Sequence, residues 1–271
     1  LIIQSSFFRK YPQFIHGFSQ KIHGNMSYKR DFDGKADANN RAFLNSLGIN
    51  PDKKQIINPV VSQGNRIALM QPLPKRKGYT EIDSACAEVL KHTDCRSEFT
   101  QGQAKLTGID ACFSSSSDCY LTIRPADCAV IFVIDPKNNV FGLIHVGTAG
   151  IFSGVISRAL DSMRLWFGSN LQDIVCFASP SISAAAYKLP QTNIYKKHLG
   201  RLISPEDAEA YNPKEKIMNQ LLLCGILPNH IELSPHCTAS NSSLYFSHHL
   251  CKTDVERATL GRMLAIIGLR R

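Results

Sequence analysis

Cys128 and His145 are the residues whose types and spacing best fit chemistry. Both lie in RPADCAVIFVIDPKNNVFGLIHVGTAG (124–150), where the turn sequence PKNN joins two apolar runs. With Lys137 and Asn138 at the turn, Cys128 and His145 face each other to within one register step, which puts their Cβ atoms ~5 Å apart. A soft sulfur beside an imidazole is half of a zinc site, or a thiolate with its general base. A buried cysteine is also a common small hydrophobe, and a strand-end histidine is commonly just hydrogen-bonded. The flanks favour function: Pro125, Ala126 and Asp127 interrupt the apolar run before the cysteine, and His145 leads into the Gly147–Gly150 loop at a helix N-terminus, where an anion is welcome.

The elements that must position this pair read as a mixed α/β fold. β-branched and aromatic residues without polar alternation in 120–135, on either side of the Pro125–Asp127 interruption, and in 140–147 predict strands covered on both faces. The spacing of Phe152, Val155, Ile156, Ala159, Leu160, Met163 and Phe167 predicts a helix that Gly168 closes. A further helix is expected at 36–49, with apolar Ala42, Phe43 and Leu47 and Gly48 as the stop, and another at 213–226. Strands are expected at the start of 14–27, on either side of QGN in 56–70, at 174–182 and at 230–239. Residues 71–105 are polar and irregular, and GRMLAIIGL (261–269) fits a strand or a helix. With no linker, repeat or low-complexity segment, 1–271 reads as one mixed α/β domain.

Composition narrows the class. The formal charge of +9 has its one cluster in KRK (75–77) and is otherwise scattered, so a solvated surface is expected rather than a nucleic-acid partner. Nine cysteines, an odd number with no CxxC pair, suit free thiols in a reducing cytoplasm. The first twenty residues hold no apolar run of signal-peptide length and no later segment approaches the ~18 apolar residues of a membrane span, which predicts a soluble, unexported, cytoplasmic protein without a membrane partner.

Short motifs in order resemble the YfiH-type laccase-domain family of purine nucleoside phosphorylases. They are HGFS (16–19), NRAFLNSLGI (40–49), SQGNRI (62–67), LTGIDACFS (106–114), ADC (126–128), HVGTAG (145–150), CT (237–238), YFSHHL (245–250) and GRMLAIIGL (261–269). The resemblance implies a layered mixed-sheet sandwich of the YfiH and cytotoxic necrotizing factor type. It also implies phosphorolysis, and deamination, of adenosine and related purine nucleosides, with phosphate as partner.

The family's metal set is His, Cys, His, drawn from QVHG, ADC and HAGW. Cys128 and His145 match its second and third members, while Gln63 stands where the first histidine belongs. The family's SYRR carries two arginines where this chain has His248 and His249, and the Trp and Arg of HAGWRG give way to Ile151 and Phe152. Zinc would therefore lack a firm third ligand, a neutral Gln oxygen being a poor one, unless His248 or His249 enters the cleft. Copper is not expected, because a multicopper laccase needs many histidines, commonly as HxH, and the sequence has no HxH.

Two alternatives stand beside the phosphorylase. One is a metal-free cysteine hydrolase or deamidase with Cys128 as nucleophile and His145 as base. The other is a degenerate paralogue that binds a ligand or partner. The phosphorylase reading expects Gln63, His248 and His249 to meet the substrate beside the pair.

Overall fold

The computed structural model describes the chain except residues 32, 53–54, 62–63, 71–86, 90–96, 101–102, 188, 190–203, 205, 207, 209 and 271. Gln63 and KRK thus lie outside the described residues. Two mixed sheets make the frame. The six-stranded sheet runs in the order β1 (Phe14–Phe18), β13 (Ala265–Leu269), β8 (Cys119–Ile123), β2 (Gln55–Val60), β6 (Gln103–Thr107), β5 (Ser97–Thr100). The seven-stranded sheet runs β12 (Ile231–Leu233), β11 (Val175–Ala178), β9 (Ala129–Asp135), β10 (Val140–Val146), β7 (Ala111–Ser114), β3 (Ile67–Met70), β4 (Ala87–Val89).

Three clusters of buried side chains define the layers. Phe14, Phe18, Leu121, Ile123 and Ile267 of the first sheet meet Val130, Phe132, Phe141 and Leu143 of the second. The outer face of the second sheet packs Ile131, Val133, Ile144 and Val146 against α3 (Val155–Phe167) and α4 (Pro213–Leu223). The outer face of the first sheet packs Ile15, Ile56, Tyr120 and Ile266 under α1 (Ala36–Ser46). The order is helix, sheet, sheet, helix, the layered mixed-sheet sandwich that the sequence led one to expect. Both faces of β9 and β10 are buried, hence their apolar runs without alternation.

Elsewhere the structure refines the reading. GRMLAIIGL contributes a strand, β13, and the irregular stretch 71–105 holds β4, β5 and the start of β6. β2 and β3, read as a strand pair around QGN, belong to different sheets. Among the described residues no helix is long and apolar enough to cross a membrane. The seven described cysteines are free thiols.

Candidate functional site

The hairpin that carries the site closes as its sequence dictates. Asp135 Oδ1 accepts the backbone N–H groups of Lys137 and Asn138 at 3.0 and 3.2 Å, and Asn139 takes a positive φ of 54°. The register pairs His145 with Val130 and Val146 with Ala129. Cys128 therefore lies opposite Gly147 and diagonal to His145. Because the side-chain period is two, this offset leaves both side chains on the same face, whereas a one-residue slip would have parted them.

Gly147 lets them meet. A Cβ there would sit 3.3 Å from Cys128 Sγ, 3.6 Å from His145 Cε1 and 4.0 Å from His145 Nε2. The glycine also starts α2 (Thr148–Phe152), which leads by one turn into α3.

His145 is only 4% exposed and is gripped by Asp110, which is fully buried. The backbone N–H of His145 donates to the Asp110 carbonyl at 2.7 Å, and its Nδ1 lies 3.3 Å from Asp110 Oδ1. The other carboxylate oxygen accepts the Gly64 N–H at 2.9 Å. With Nδ1 turned to Asp110, Nε2 is the nitrogen left for the thiol. Burial works against a charged imidazole here, but Cys128 and the Asp110 hydrogen bond outweigh it and raise the His145 pKa to about 9.

Asp127 organises the other side. It has a φ of 86°, in the left-handed region that an aspartate seldom adopts. The conformation is held by three ties: its Oδ1 accepts Thr238 Oγ1 at 2.6 Å, its Oδ2 accepts the His249 N–H at 2.7 Å, and its carbonyl accepts the Ile182 N–H at 2.9 Å. The segments around 182, 238 and 249 are thereby drawn to the residue just before Cys128.

These segments wall a cleft of about 370 Å³, a size that suits a small organic ligand. Cys128 and His145 line it. One wall is apolar and aromatic: Ile151, Ile182, Ile217, Tyr187 and the His249 ring, which meets Tyr187 edge-on at 5.8 Å. Thr148 Oγ1 donates to the Tyr187 hydroxyl at 3.2 Å. The cationic side chains of the lining are Arg30, Arg124 and Arg262, with His248 beside them. The His248 pKa is lowered, first by burial and then by Arg262, so this imidazole tends to the neutral form.

Sequence reasoning singled out four of these residues in the cleft, Cys128, His145, His248 and His249, and missed others. Asp110 and Arg262 lay inside motifs already quoted, LTGIDACFS and GRM, where a buried acid and a lone arginine were the available signals. Arg30 and Tyr187 carried none. Gln63 is outside the described residues, but its neighbour Gly64 touches Asp110, and Asn65 Nδ2 donates to the Ser153 carbonyl at 2.8 Å.

Among the described residues the donor set does not fit a zinc or copper centre, because no three His, Cys, Asp or Glu side chains converge on one point. His248 and His249 share the cleft with Cys128 and His145 without completing a metal set. No step below is routed through a metal.

Comparison with known proteins agrees with this architecture. The chain is 21% identical to the Bacillus licheniformis hypothetical protein YfiH, with a TM-score of 0.74 over 96% of this chain and 94% of that one. YlmD from Geobacillus stearothermophilus superposes with a TM-score of 0.71 at 22% identity, over 96% and 93% of the two chains. In sequence it is 26% identical over 223 residues to the purine nucleoside phosphorylase YlmD of G. stearothermophilus, covering 78% of this chain and 79% of the relative. The mouse purine nucleoside phosphorylase LACC1 is 23% identical over 87% of this chain, which spans about half of it, 52%. Residues 16–270 match the family described as multi-copper polyphenol oxidoreductase laccase, and the chain belongs to that laccase-domain family.

Proposed function

We propose that this chain is a purine nucleoside phosphorylase acting on adenosine and related nucleosides. In the reaction a phosphate oxygen bonds to C1′ of the ribose, the C1′–N9 bond breaks, and its electron pair leaves with the base, which takes up a proton. The base needs a flat apolar wall, the phosphate needs cations, and the reacting carbon must lie between them. The observation that carries the reading is the cleft itself: one cavity is lined by Cys128 and His145, by the aromatic pair of Tyr187 and His249, and by the guanidinium groups of Arg30 and Arg262. The relatives named purine nucleoside phosphorylase support it further. His145, oriented by Asp110, is the proton-handling group of the site, and Cys128 is its hydrogen-bonding neighbour in the cleft.

The test is release of adenine from adenosine by the purified chain, with and without phosphate, followed by chromatography that also resolves inosine. Phosphate-dependent adenine that disappears in His145→Ala is the expected result. Adenine release indifferent to phosphate would overturn the reading. Inosine formation would add deamination.

One observation favours a second reading. Asp110, His145 and Cys128 stand in the order of an orienting acid, a base and a nucleophile. A cysteine hydrolase built on them would show Cys128 alkylated first when the modified sites are mapped. Mapping is needed because Cys237 competes: its burial opposes ionisation, but hydrogen bonds from Ser183 and Ser240 outweigh this and lower its pKa to about 7.

A further inference from the structure

The cationic wall has a construction of its own. Arg30 ends the short turn Tyr28–Arg30, and Arg262 precedes β13, 232 positions away in sequence and adjacent in space. The Asn25 carboxamide joins them. Its Nδ2 donates to the Arg30 carbonyl at 2.7 Å, and its Oδ1 accepts the Arg262 backbone N–H at 3.0 Å. The Met26 N–H closes the same junction on the Arg262 carbonyl at 3.1 Å.

Among the described residues both guanidinium groups donate to backbone carbonyls rather than to carboxylates. Arg30 Nη1 donates to the Arg257 carbonyl at 2.6 Å, and Arg262 Nη1 to the carbonyls of Gly261 and Leu260 at 3.1 and 3.4 Å. Among the described residues neither makes an ion pair with a carboxylate. The carboxylate that lines the cleft, Asp127, has both oxygens hydrogen-bonded by Thr238 and His249, and its charge only partly offsets burial and the Arg30 charge at Arg262. Arg262 is held below the usual arginine range, at about 10, by burial first and by the charge of Arg30 second. Two like charges are thus fixed together at the wall of a cleft, an arrangement that an anion between them relieves.

Arg124, the third arginine on that wall, is different. Its guanidinium donates to Met26 O, Asn58 Oδ1, Thr122 Oγ1 and Asn40 Oδ1, and lies 4.9 Å from the Tyr28 ring centroid. It is a strut of the fold.

We propose that Arg30 and Arg262, joined through Asn25 and flanked by His248, form an oxyanion subsite that takes inorganic phosphate, an assignment that rests on the phosphorolysis reading for its place in a reaction. Two planar forks meet the tetrahedral ion from one side, and His248 adds one N–H without adding repulsion. This places the phosphate on residues of the Tyr28–Arg30 turn and the β13 approach, although YFSHHL holds histidines where the family's SYRR holds arginines.

The experiment measures phosphate binding directly, with no nucleoside present, by calorimetry on the full chain. The wild type and Arg9→Gln, an exposed control, should bind phosphate alike, whereas Arg30→Gln should weaken it at least tenfold and Arg30→Lys by less. Absent binding in the wild type, or an Arg30→Gln affinity within twofold of it, overturns the subsite. Modification by phenylglyoxal, mapped by mass spectrometry on the wild type, keeps the test sound if Arg30→Gln folds poorly. Phosphate should slow the labelling of Arg30 and Arg262 and leave that of Arg9 unchanged, and equal labelling with and without phosphate again overturns it. Arg30-dependent phosphate binding in a chain that releases no adenine would uphold the subsite and sink the phosphorylase instead.

Discussion

Asp110 holds His145 twice, once through the backbone at 2.7 Å and once through the side chain at 3.3 Å. The first contact ties β10 to the residue before β7, and the second fixes which face of the imidazole meets Cys128. Its other oxygen takes the Gly64 N–H, so one buried carboxylate joins the hairpin to Gly64 of the SQGN motif. Asp110→Asn keeps the shape but cannot accept from both Gly64 and His145 with both side-chain atoms. The variant should lose about 1–3 kcal/mol of stability from the unpaired buried donor. It should also lose at least tenfold in adenine release, with the phosphate affinity unchanged. Thermal melts and initial rates measure the two effects separately.

Gly147→Ala isolates the geometry of the pair. Gly147 has a φ of −88°, which any residue adopts, so the backbone is not the obstacle. The obstacle is the new Cβ, 3.3 Å from Cys128 Sγ. The stability cost should be about 1 kcal/mol, at the low end for overpacking. The rate should fall far more than the stability. A variant with wild-type turnover would mean that the approach of Cys128 to His145 is irrelevant to the reaction.

How much of this was legible beforehand depended on the range of the interaction. The hairpin could be read because its turn and its two apolar runs are local; Cys128 and His145, expected to face each other to within one register step, stand two residues off, and they share a face because an offset of two preserves parity. Asp110 could not be read as the partner of His145, since their contact joins residues 35 apart that only the sheet order β9, β10, β7 brings together. Arg30 was invisible for the same reason: its role depends on Asn25 and on a strand at the other end of the chain. β2 and β3 misled as a pair because a sequence shows where strands start but not that the chain has crossed to another sheet.

Gln63→His tests the missing ligand. Cys128 and His145 supply two donors, and Gly64, the next residue in sequence after position 63, donates its N–H to Asp110. A histidine at 63 should raise zinc content toward one per chain in elemental analysis. Adding Cys128→Ala to that variant should remove it again. Zinc content that ignores both substitutions would mean position 63 does not face the pair.

His16 should govern stability in mild acid. It lies buried on β1, where its Nε2 accepts the Ser5 N–H at 2.7 Å and so must be unprotonated. Burial lowers its pKa to about 4, partly opposed by the charge of Glu232. Below an unfolded value near 6.5 the unfolded chain binds the proton and the folded chain does not, so stability falls with falling pH. The loss begins near pH 6.5 and is complete near pH 4, roughly 3 kcal/mol in all by linkage. Urea unfolding at pH 7 and pH 4.5 should show the decline in the wild type and a flatter one in His16→Gln, whose amide oxygen can accept from Ser5. Equal slopes would remove His16 as the cause.

Asp127 sets two effects of opposite sign against each other. Its φ of 86° costs ~1–2 kcal/mol in a non-glycine residue. Its carboxylate makes two charge-assisted hydrogen bonds, to Thr238 and His249, each worth about 1.5–3 kcal/mol. Asp127→Gly relieves the first and forfeits the second, so the hydrogen bonds should win and the variant should be destabilised by about 2 kcal/mol. Asp127→Asn keeps an oxygen for one partner but presents an NH₂ group to the other. The His249 amide should then exchange faster with solvent, while the amides of β9 stay protected. Because Tyr187 meets the His249 ring at 5.8 Å, release of that loop should loosen the aromatic wall and weaken adenosine binding. Phosphate, held by Arg30 and Arg262 through Asn25, should bind Asp127→Asn at least as well as the wild type, since a neighbouring negative charge is gone. A fall in phosphate affinity equal to the fall in adenosine affinity would show that the two walls of the cleft are not separately supported.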